Sequence, residues 1–138
     1  MVVGGTKKLI IRWTNPNGSQ QNALVVATLS TDILRGGSET LVVPPGKRWI
    51  IVDVVRGENV TVGGRVELLV DDEPIAITDD VRRYDPANPS RPRDLAGFYV
   101  RGQHTIKANV YVNANNTGAD VTEELILYIE EEDDYFPF

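Results

Sequence analysis

Catalysis by an activated nucleophile would depend on few residues in this chain, because His104 is the only histidine and cysteine is absent. A Ser-His-Asp arrangement would combine His104 with Ser19, Ser30, Ser38 or Ser90, and none of these serines lies in a G-x-S-x-G turn. His104 opens the strand-like stretch HTIKANVYV. We therefore expect His104 to have a structural role at the start of a strand, and the sequence predicts a protein that is not an enzyme.

Neighbouring carboxylates occur at Asp71, Asp72 and Glu73 and again at Asp79 and Asp80. Paired carboxylates can carry out acid–base chemistry or bind calcium. Adjacent residues of a strand point to opposite sides, however, so we interpret these residues as solvated turn residues. The stretch NANNTGAD lacks the spaced acidic ligands of an EF-hand loop. No metal and no cofactor is predicted.

Residues 79–94, DDVRRYDPANPSRPRD, combine four aspartates, four arginines and three prolines. The prolines recur every third residue, which is the period of a polyproline II helix. Long loops in compact domains are usually functional or disordered. We predict a stiff arm that lies along a neighbouring subunit; the alternative is a surface loop packed on its own domain. The predicted contact residues are Arg82, Arg83, Tyr84, Pro86, Pro89, Arg91, Pro92 and Arg93.

The last residues, 131–138, are predicted to form an acidic and aromatic tail after a domain of residues 1–130. The carboxylates of residues 130–134 repel one another, so we expect them to leave the sheet as a solvated extension. Three aromatic rings follow, each with apolar area that favours burial. We predict that Tyr135, Phe136 and Phe138 anchor the tail in a pocket of a neighbouring subunit or of a capsid.

Charge and composition exclude several classes of partner. The net charge of −6 argues against a nucleic-acid binder, because binding to phosphates needs a positive surface. No apolar run approaches the roughly 20 residues that span a bilayer, and the first residues lack the pattern of a signal peptide, so we expect a soluble chain that does not contact a membrane. Basic pairs and the acidic run are separated along the sequence, and this separation could let copies of the protein attract one another.

Short β-branched and aromatic stretches separated by Gly, Pro, Asn or Asp predict eight or nine strands and almost no helix. The first is KKLIIRW and the last is EELILYIE. Regular short strands without intervening helices are typical of antiparallel sandwiches and barrels. The predicted fold is a single all-β domain, an antiparallel β-sandwich of jelly-roll type with about eight strands.

Two connections can be predicted in more detail. Pro45 and Gly46 suit a type II turn, so we expect the chain to change sheet at this corner. A hairpin is predicted around Asp71 and Asp72, with alternate residues of both strands facing the core. These residues are Val66, Leu68 and Val70 before the turn and Ile75 and Ile77 after it.

Some predicted strands are apolar on both faces. In ALVVATL, Leu24 and Val26 are as hydrophobic as Val25, Ala27 and Leu29 on the other side. In LILYI, the outward side carries an isoleucine and a tyrosine. Exposed apolar patches of this kind tend to be protein contacts, whereas a strand covered on both faces within one chain is the alternative.

The stretch LVVPPGKRWIIVDVV resembles small jelly-roll structural proteins of tailed phages and archaeal viruses, in which a strand often runs into V-P-x-G-K before an apolar strand. Val43, Pro44, Gly46 and Lys47 match this motif, and the apolar strand starts at Trp49. The resemblance implies a capsid, decoration or fibre-head protein, commonly trimeric and without enzymatic activity.

The resulting expectation is a non-enzymatic structural protein of the virion, which self-associates as a homo-oligomer, with a trimer favoured, and contacts a major capsid protein. The first alternative is a carbohydrate- or ligand-binding sandwich that stacks sugars on Trp13, Trp49, Tyr84 or Tyr99. The second is a cupin-like enzyme, which is disfavoured because one histidine cannot supply a metal site built on several.

Overall fold

The computed structural model describes residues 6–18, 23–32, 37–57, 60–84, 97–112 and 118–134. A three-residue 3-10 turn, Val81–Arg83, is the single helical element among them. Each stretch that the sequence predicted as a strand contains a strand of the structure. The short strand β3 was not predicted. The ten strands are β1 (Thr6–Asn15), β2 (Leu24–Thr31), β3 (Gly37–Ser38), β4 (Leu41–Val42), β5 (Lys47–Arg56), β6 (Gly64–Val70), β7 (Glu73–Ile77), β8 (Tyr99–Arg101), β9 (Thr105–Val112) and β10 (Val121–Asp133).

The strands form one hydrogen-bonded antiparallel sheet in the order β7-β6-β9-β2-β1-β10-β5-β8, with β3 beside β2 and β4 beside β9. The sheet curls into a half-barrel. Strand β2 links its two parts, because residues 24–26 pair with β9 whereas residues 27–31 pair with β1. The prediction of an all-β, antiparallel fold is confirmed. Its finer assignment as a jelly-roll sandwich stays a prediction.

The core lies on the inner side of the curled sheet. Strand alternation directs every second side chain inward, as Leu9, Ile11 and Trp13 show on β1, where all three are buried. On β10 the buried apolar residues are Leu125, Leu127 and Ile129. Because side chains from both parts of the sheet join one buried cluster, the two parts share a single hydrophobic core.

The turn predicted at Pro45 and Gly46 is present, but the predicted change from one sheet to another is not shown, because the strands before and after the turn belong to one sheet. Gly46 has φ +76, which suits the third position of a type II turn, and Lys47 N donates to Pro44 O at 3.2 Å. Before this corner β4 pairs with β9, and after it β5 pairs with β10. The corner therefore carries the chain from one part of the sheet to the other.

The predicted hairpin β6–β7 is also present, but its facing is partly different. Asp71 and Asp72 have φ 52 and 66, as a type I′ turn requires. The register shifts by one residue between Leu68 and Leu69, opposite β7. A one-residue shift moves later side chains to the other face, and Ile77, which was predicted to face the core, is 43% exposed beside Glu67.

The prediction that residues 130–134 leave the sheet is wrong. Strand β10 continues to Asp133, so the sheet extends beyond the expected domain boundary at residue 130. Lys47 forms an ion pair with Asp133, and Arg48 donates to Glu132 from Nε at 2.9 Å and from Nη2 at 2.6 Å. These cations on β5 lie opposite the acidic run and remove the repulsion that the local sequence suggested.

Candidate assembly surface

The exposed side of β2 carries the most exposed large apolar side chains among the described residues. Leu24 is 59% exposed and Val26 is 68% exposed, whereas Ala27 and Leu29 are buried. Both exposed residues lie where β2 leaves β1 and pairs with β9. The prediction that this strand is apolar on both faces is therefore confirmed, and no part of the described chain covers its outer face.

The neighbouring residues on the outer face follow from the strand register. Leu24 lies opposite Tyr111, and Val26 lies opposite Asn109. The rows continue across β6 and β7 to complete a surface that we call the β2–β9 face. It consists of Leu24, Val26, Arg65, Glu67, Ile77, Asn109 and Tyr111.

Polar groups of the β2–β9 face interact with one another. Asn109 Nδ2 donates to Glu67 Oε1 at 3.0 Å. The Arg65 guanidinium lies 5.0 Å from the centre of the Tyr111 ring, within the range of a cation–π interaction. The Asn109–Glu67 hydrogen bond satisfies one donor and one acceptor within the face, so a partner that covers the face would have to satisfy fewer polar atoms.

Two grooves flank Val26. One has a volume of about 230 Å³ and lies between β2 and β9, with Glu39 and Lys107 at its rim. The other has a volume of about 530 Å³ and is lined by Arg12, Thr14 and Thr28 together with Val26. Val26 thus forms a ridge between two depressions, a shape that can accept a ridge from another copy of the same surface.

The start of segment 79–94 packs on its own domain. Val81 is fully buried, and Arg56 N donates to Tyr84 O at 2.8 Å. Tyr84 was predicted to contact a partner, but it is only 4% exposed and belongs to the core. Val81 and Tyr84 therefore pack on their own domain, whereas contact of Arg82 and Arg83 with a neighbouring subunit stays a prediction.

Arg82 and Arg83 are held by aspartates of the same segment. Arg82 donates to Asp80 Oδ2 from Nε at 2.8 Å and from Nη2 at 2.6 Å, and Arg83 forms an ion pair with Asp79. The side-chain hydrogen bond to Asp80 raises the pKa of Arg82 above its usual value. Charge balance in this segment is thus achieved partly by internal pairs. The predicted contact residues Pro86, Pro89, Arg91, Pro92, Arg93, Tyr135, Phe136 and Phe138 lie outside the described residues.

Three of the four aromatic residues considered as a sugar-stacking platform are buried: Trp13, Trp49 and Tyr84. Tyr99 is 58% exposed, with the Arg48 guanidinium 5.9 Å from its ring centre. Stacking on a sugar needs an accessible ring face, so the predicted platform is reduced to one residue.

His104 lies at the start of β9, as expected, and contacts the hairpin turn. His104 Nδ1 is hydrogen-bonded to Asp71 Oδ2, and Asp71 also accepts a hydrogen bond from Thr105 N at 2.8 Å. The Thr105 backbone N–H and then the His104 side chain lower the pKa of Asp71. The pair ties the β6–β7 turn to β9. Among the described residues, no group of three or more His, Cys, Asp or Glu side chains could hold a metal ion.

Glu123, which the sequence interpretation overlooked, is fully buried at the start of β10. Its Oε1 accepts backbone N–H groups from Thr61 at 2.8 Å, Val62 at 2.8 Å and Gly63 at 3.1 Å. Its Oε2 accepts a hydrogen bond from Asn15 Nδ2. The carboxylate fastens the loop before β6 to β1 and β10. Its position was visible in the alternation of β10, where Glu123 shares the inward side with Leu125 and Leu127.

No helix in the described part of the chain is long and apolar enough to cross a membrane. No protein-family model matches this chain, and no curated protein matches it significantly.

Proposed function

We propose that this chain is a non-enzymatic structural protein that self-associates through the β2–β9 face and builds or decorates a virus capsid. The observation that carries this proposal is the exposed pair Leu24 and Val26 on a regular, uncovered sheet face. Apolar patches of this kind on soluble domains usually mark protein contacts. The binding partner that fits this face is a second copy of the chain, because the ridge and the grooves lie side by side on one surface.

The ridge at Val26 and the grooves beside it lie on one surface, because Val26 lines both grooves. In the proposed ring, the ridge of one copy would enter a groove of the next copy. Such head-to-tail contacts are heterologous and close into rings when the rotation allows it. A trimer is the ring that the viral resemblance implies. In this proposal the curled sheet is a jelly-roll sandwich, and the corner at Pro44 and Gly46 is its turn between sheets.

The internal ion pairs of the chain also favour an apolar contact. Lys47 and Arg48 bind the acidic end of β10, and Arg82 and Arg83 bind Asp80 and Asp79. These charges are therefore not needed to join copies. The virion setting and the major capsid protein as a partner rest on the resemblance at Val43, Pro44, Gly46 and Lys47.

The experiment compares Val26→Lys with Val52→Lys by sedimentation velocity. Val52 is 42% exposed on the outer side of β5, which makes it a matched control in another part of the sheet. Val26→Lys should weaken self-association at least about a hundredfold, because a charge would be buried without a partner. The control should associate like the parent protein. Equal association of both variants and the parent would exclude the β2–β9 face as the contact.

A further inference from the structure

The two ends of the strand order approach each other across a cleft. Strands β7 and β8 are the outermost strands of the described sheet, and the cleft of about 360 Å³ is lined by residues of both. Val70, Ile75 and Val100 supply apolar lining, Arg101 and His104 supply basic side chains, and Asp71 and Glu73 supply carboxylates. This volume is near the lower end of the range for sites that bind small ligands.

Strand β10 brings the chain to this cleft. Asp134, the last described residue, accepts hydrogen bonds from Arg101 Nε at 2.6 Å and Nη2 at 3.1 Å. Its backbone N donates to Gly46 O at 2.9 Å. Arg101 contacts Asp134 and also lines the cleft. Asp134 is therefore separated from the cleft only by the side chain of Arg101.

Residues 135–138, YFPF, follow directly. Four extended residues reach about 13 Å, which is enough to pass from Asp134 into a cleft that begins at Arg101. Aromatic rings suit a lining of Val and Ile, and guanidinium groups such as that of Arg101 favour the face of a ring.

We propose that residues 135–138 bind in the cleft between β7 and β8 of the same molecule, with the rings of Phe136 and Phe138 against Val70 and Ile75. The segment covers the outer strands at the opening of the half-barrel. Open strand edges otherwise pair with other chains, so the docked segment directs association away from these edges. This proposal is independent of the β2–β9 face.

The absence of cysteine allows a direct test by disulfide crosslinking in the 138-residue chain. Glu73→Cys places a thiol at the exposed start of β7 in the cleft lining, and Pro137→Cys places one between the two phenylalanines. The control pairs Pro137→Cys with Thr122→Cys. Thr122 lies 12 residues before Asp134 on β10, about 40 Å away along the strand, beyond the reach of the segment.

The expected result is rapid formation of an intramolecular disulfide in the 73/137 variant at low protein concentration. Adding Phe136→Ala and Phe138→Ala should slow the reaction at least about tenfold, because the rings supply the affinity. Three results would overturn the proposal: a rate equal to that of the 122/137 control, a rate that is indifferent to the loss of the rings, or a covalent dimer as the main product. The last would assign the segment to a neighbouring copy.

Discussion

Strand β10 carries carboxylates near both ends, and the two ends satisfy them differently. Glu123 is fully buried, and its oxygens accept hydrogen bonds from backbone N–H groups and an asparagine amide. At the other end, Glu132 and Asp133 pair with Arg48 and Lys47 on β5, close to solvent. Removal of a carboxylate from β10 should therefore lower the free energy of unfolding several-fold more at Glu123 than at the other end of the strand.

The two ends of β10 differ because water can reach the hydrogen-bond donors at one end and not at the other. Donors around Glu123 are enclosed, so removal of the carboxylate would leave them without hydrogen bonds, and an unsatisfied buried donor costs about 1–3 kcal/mol. Around Glu132 and Asp133, water can replace a lost partner, and salt weakens the attraction between the charges. Burial of the partner, more than the charge of the carboxylate, determines its contribution.

The largest effect is predicted for Glu123→Ala. It removes the acceptor of three backbone N–H groups and should lower the free energy of unfolding by about 3–5 kcal/mol in urea titrations. Glu123→Gln, which keeps one carbonyl oxygen, should lose less. The control is Glu124→Ala on the outer face, whose Arg12 partner is 51% exposed, and its loss should stay below about 1 kcal/mol. Similar losses in Glu123→Ala and Glu124→Ala would refute the contrast.

An intermediate effect is predicted for Glu131→Ala. Glu131 Oε2 accepts a hydrogen bond from Trp49 Nε1 at 2.9 Å, and Trp49 is buried. The variant should lose about 1–2 kcal/mol in the same titration, because the indole N–H would lose its partner. Glu131→Gln should retain most of this stability. A full loss in the glutamine variant would mean that charge, and not the hydrogen bond, is what matters here.

A small effect is predicted for Glu132→Gln. Its partner Arg48 is more than a third exposed, so the variant should lose less than about 1 kcal/mol. The loss should shrink further when unfolding is measured in 1 M NaCl, at which charges are screened over about 3 Å. A loss that is unchanged by salt would mean that the Arg48–Glu132 pair, like Glu123, is shielded from solvent.

The smallest change is predicted at Asp71, where carboxylate and histidine are both half-exposed. The folded state lowers the pKa of Asp71 below its ordinary value of 3.8, chiefly through the Thr105 backbone N–H. Its contribution to stability is therefore present above pH 3.8 and lost as the pH falls through the lowered pKa. The Thr105 amide signal in NMR should follow this titration. Asp71→Asn should abolish it, and persistence of the titration in that variant would assign the titration to another group.

Local patterns were sufficient to predict the strands but not the partners of the acidic residues. Alternation and turn residues indicated β1 and β10, because each carries inward apolar residues at every second position. The fate of residues 130–134 depended on Lys47 and Arg48, which are more than 80 residues away in sequence. Only the β5–β10 register brings these charges together, and that register is a property of the fold.

Similar limits explain the other differences. Glu123 lies on the inward side of β10, so its burial could be inferred from the alternation of inward and outward residues. Its hydrogen-bond donors Thr61, Val62 and Gly63 lie in a loop, and no sequence pattern predicted that this loop packs against β10. Ile77 faces outward because the one-residue shift in β7 reverses the alternation. By contrast, the exposed residues Leu24 and Val26 were predicted, because a strand that is apolar on both faces is visible in the sequence alone.

The central claim is that copies of this chain associate through the β2–β9 face, on which Leu24 and Val26 are exposed. The most direct test is the molar mass of the unmodified protein by light scattering at micromolar concentration, in low salt and in 1 M NaCl. The account predicts an oligomer, with three chains favoured, whose mass is unchanged or increased by salt, because apolar contacts are not screened. A single-chain mass in both conditions, or dissociation to single chains in high salt, would contradict it.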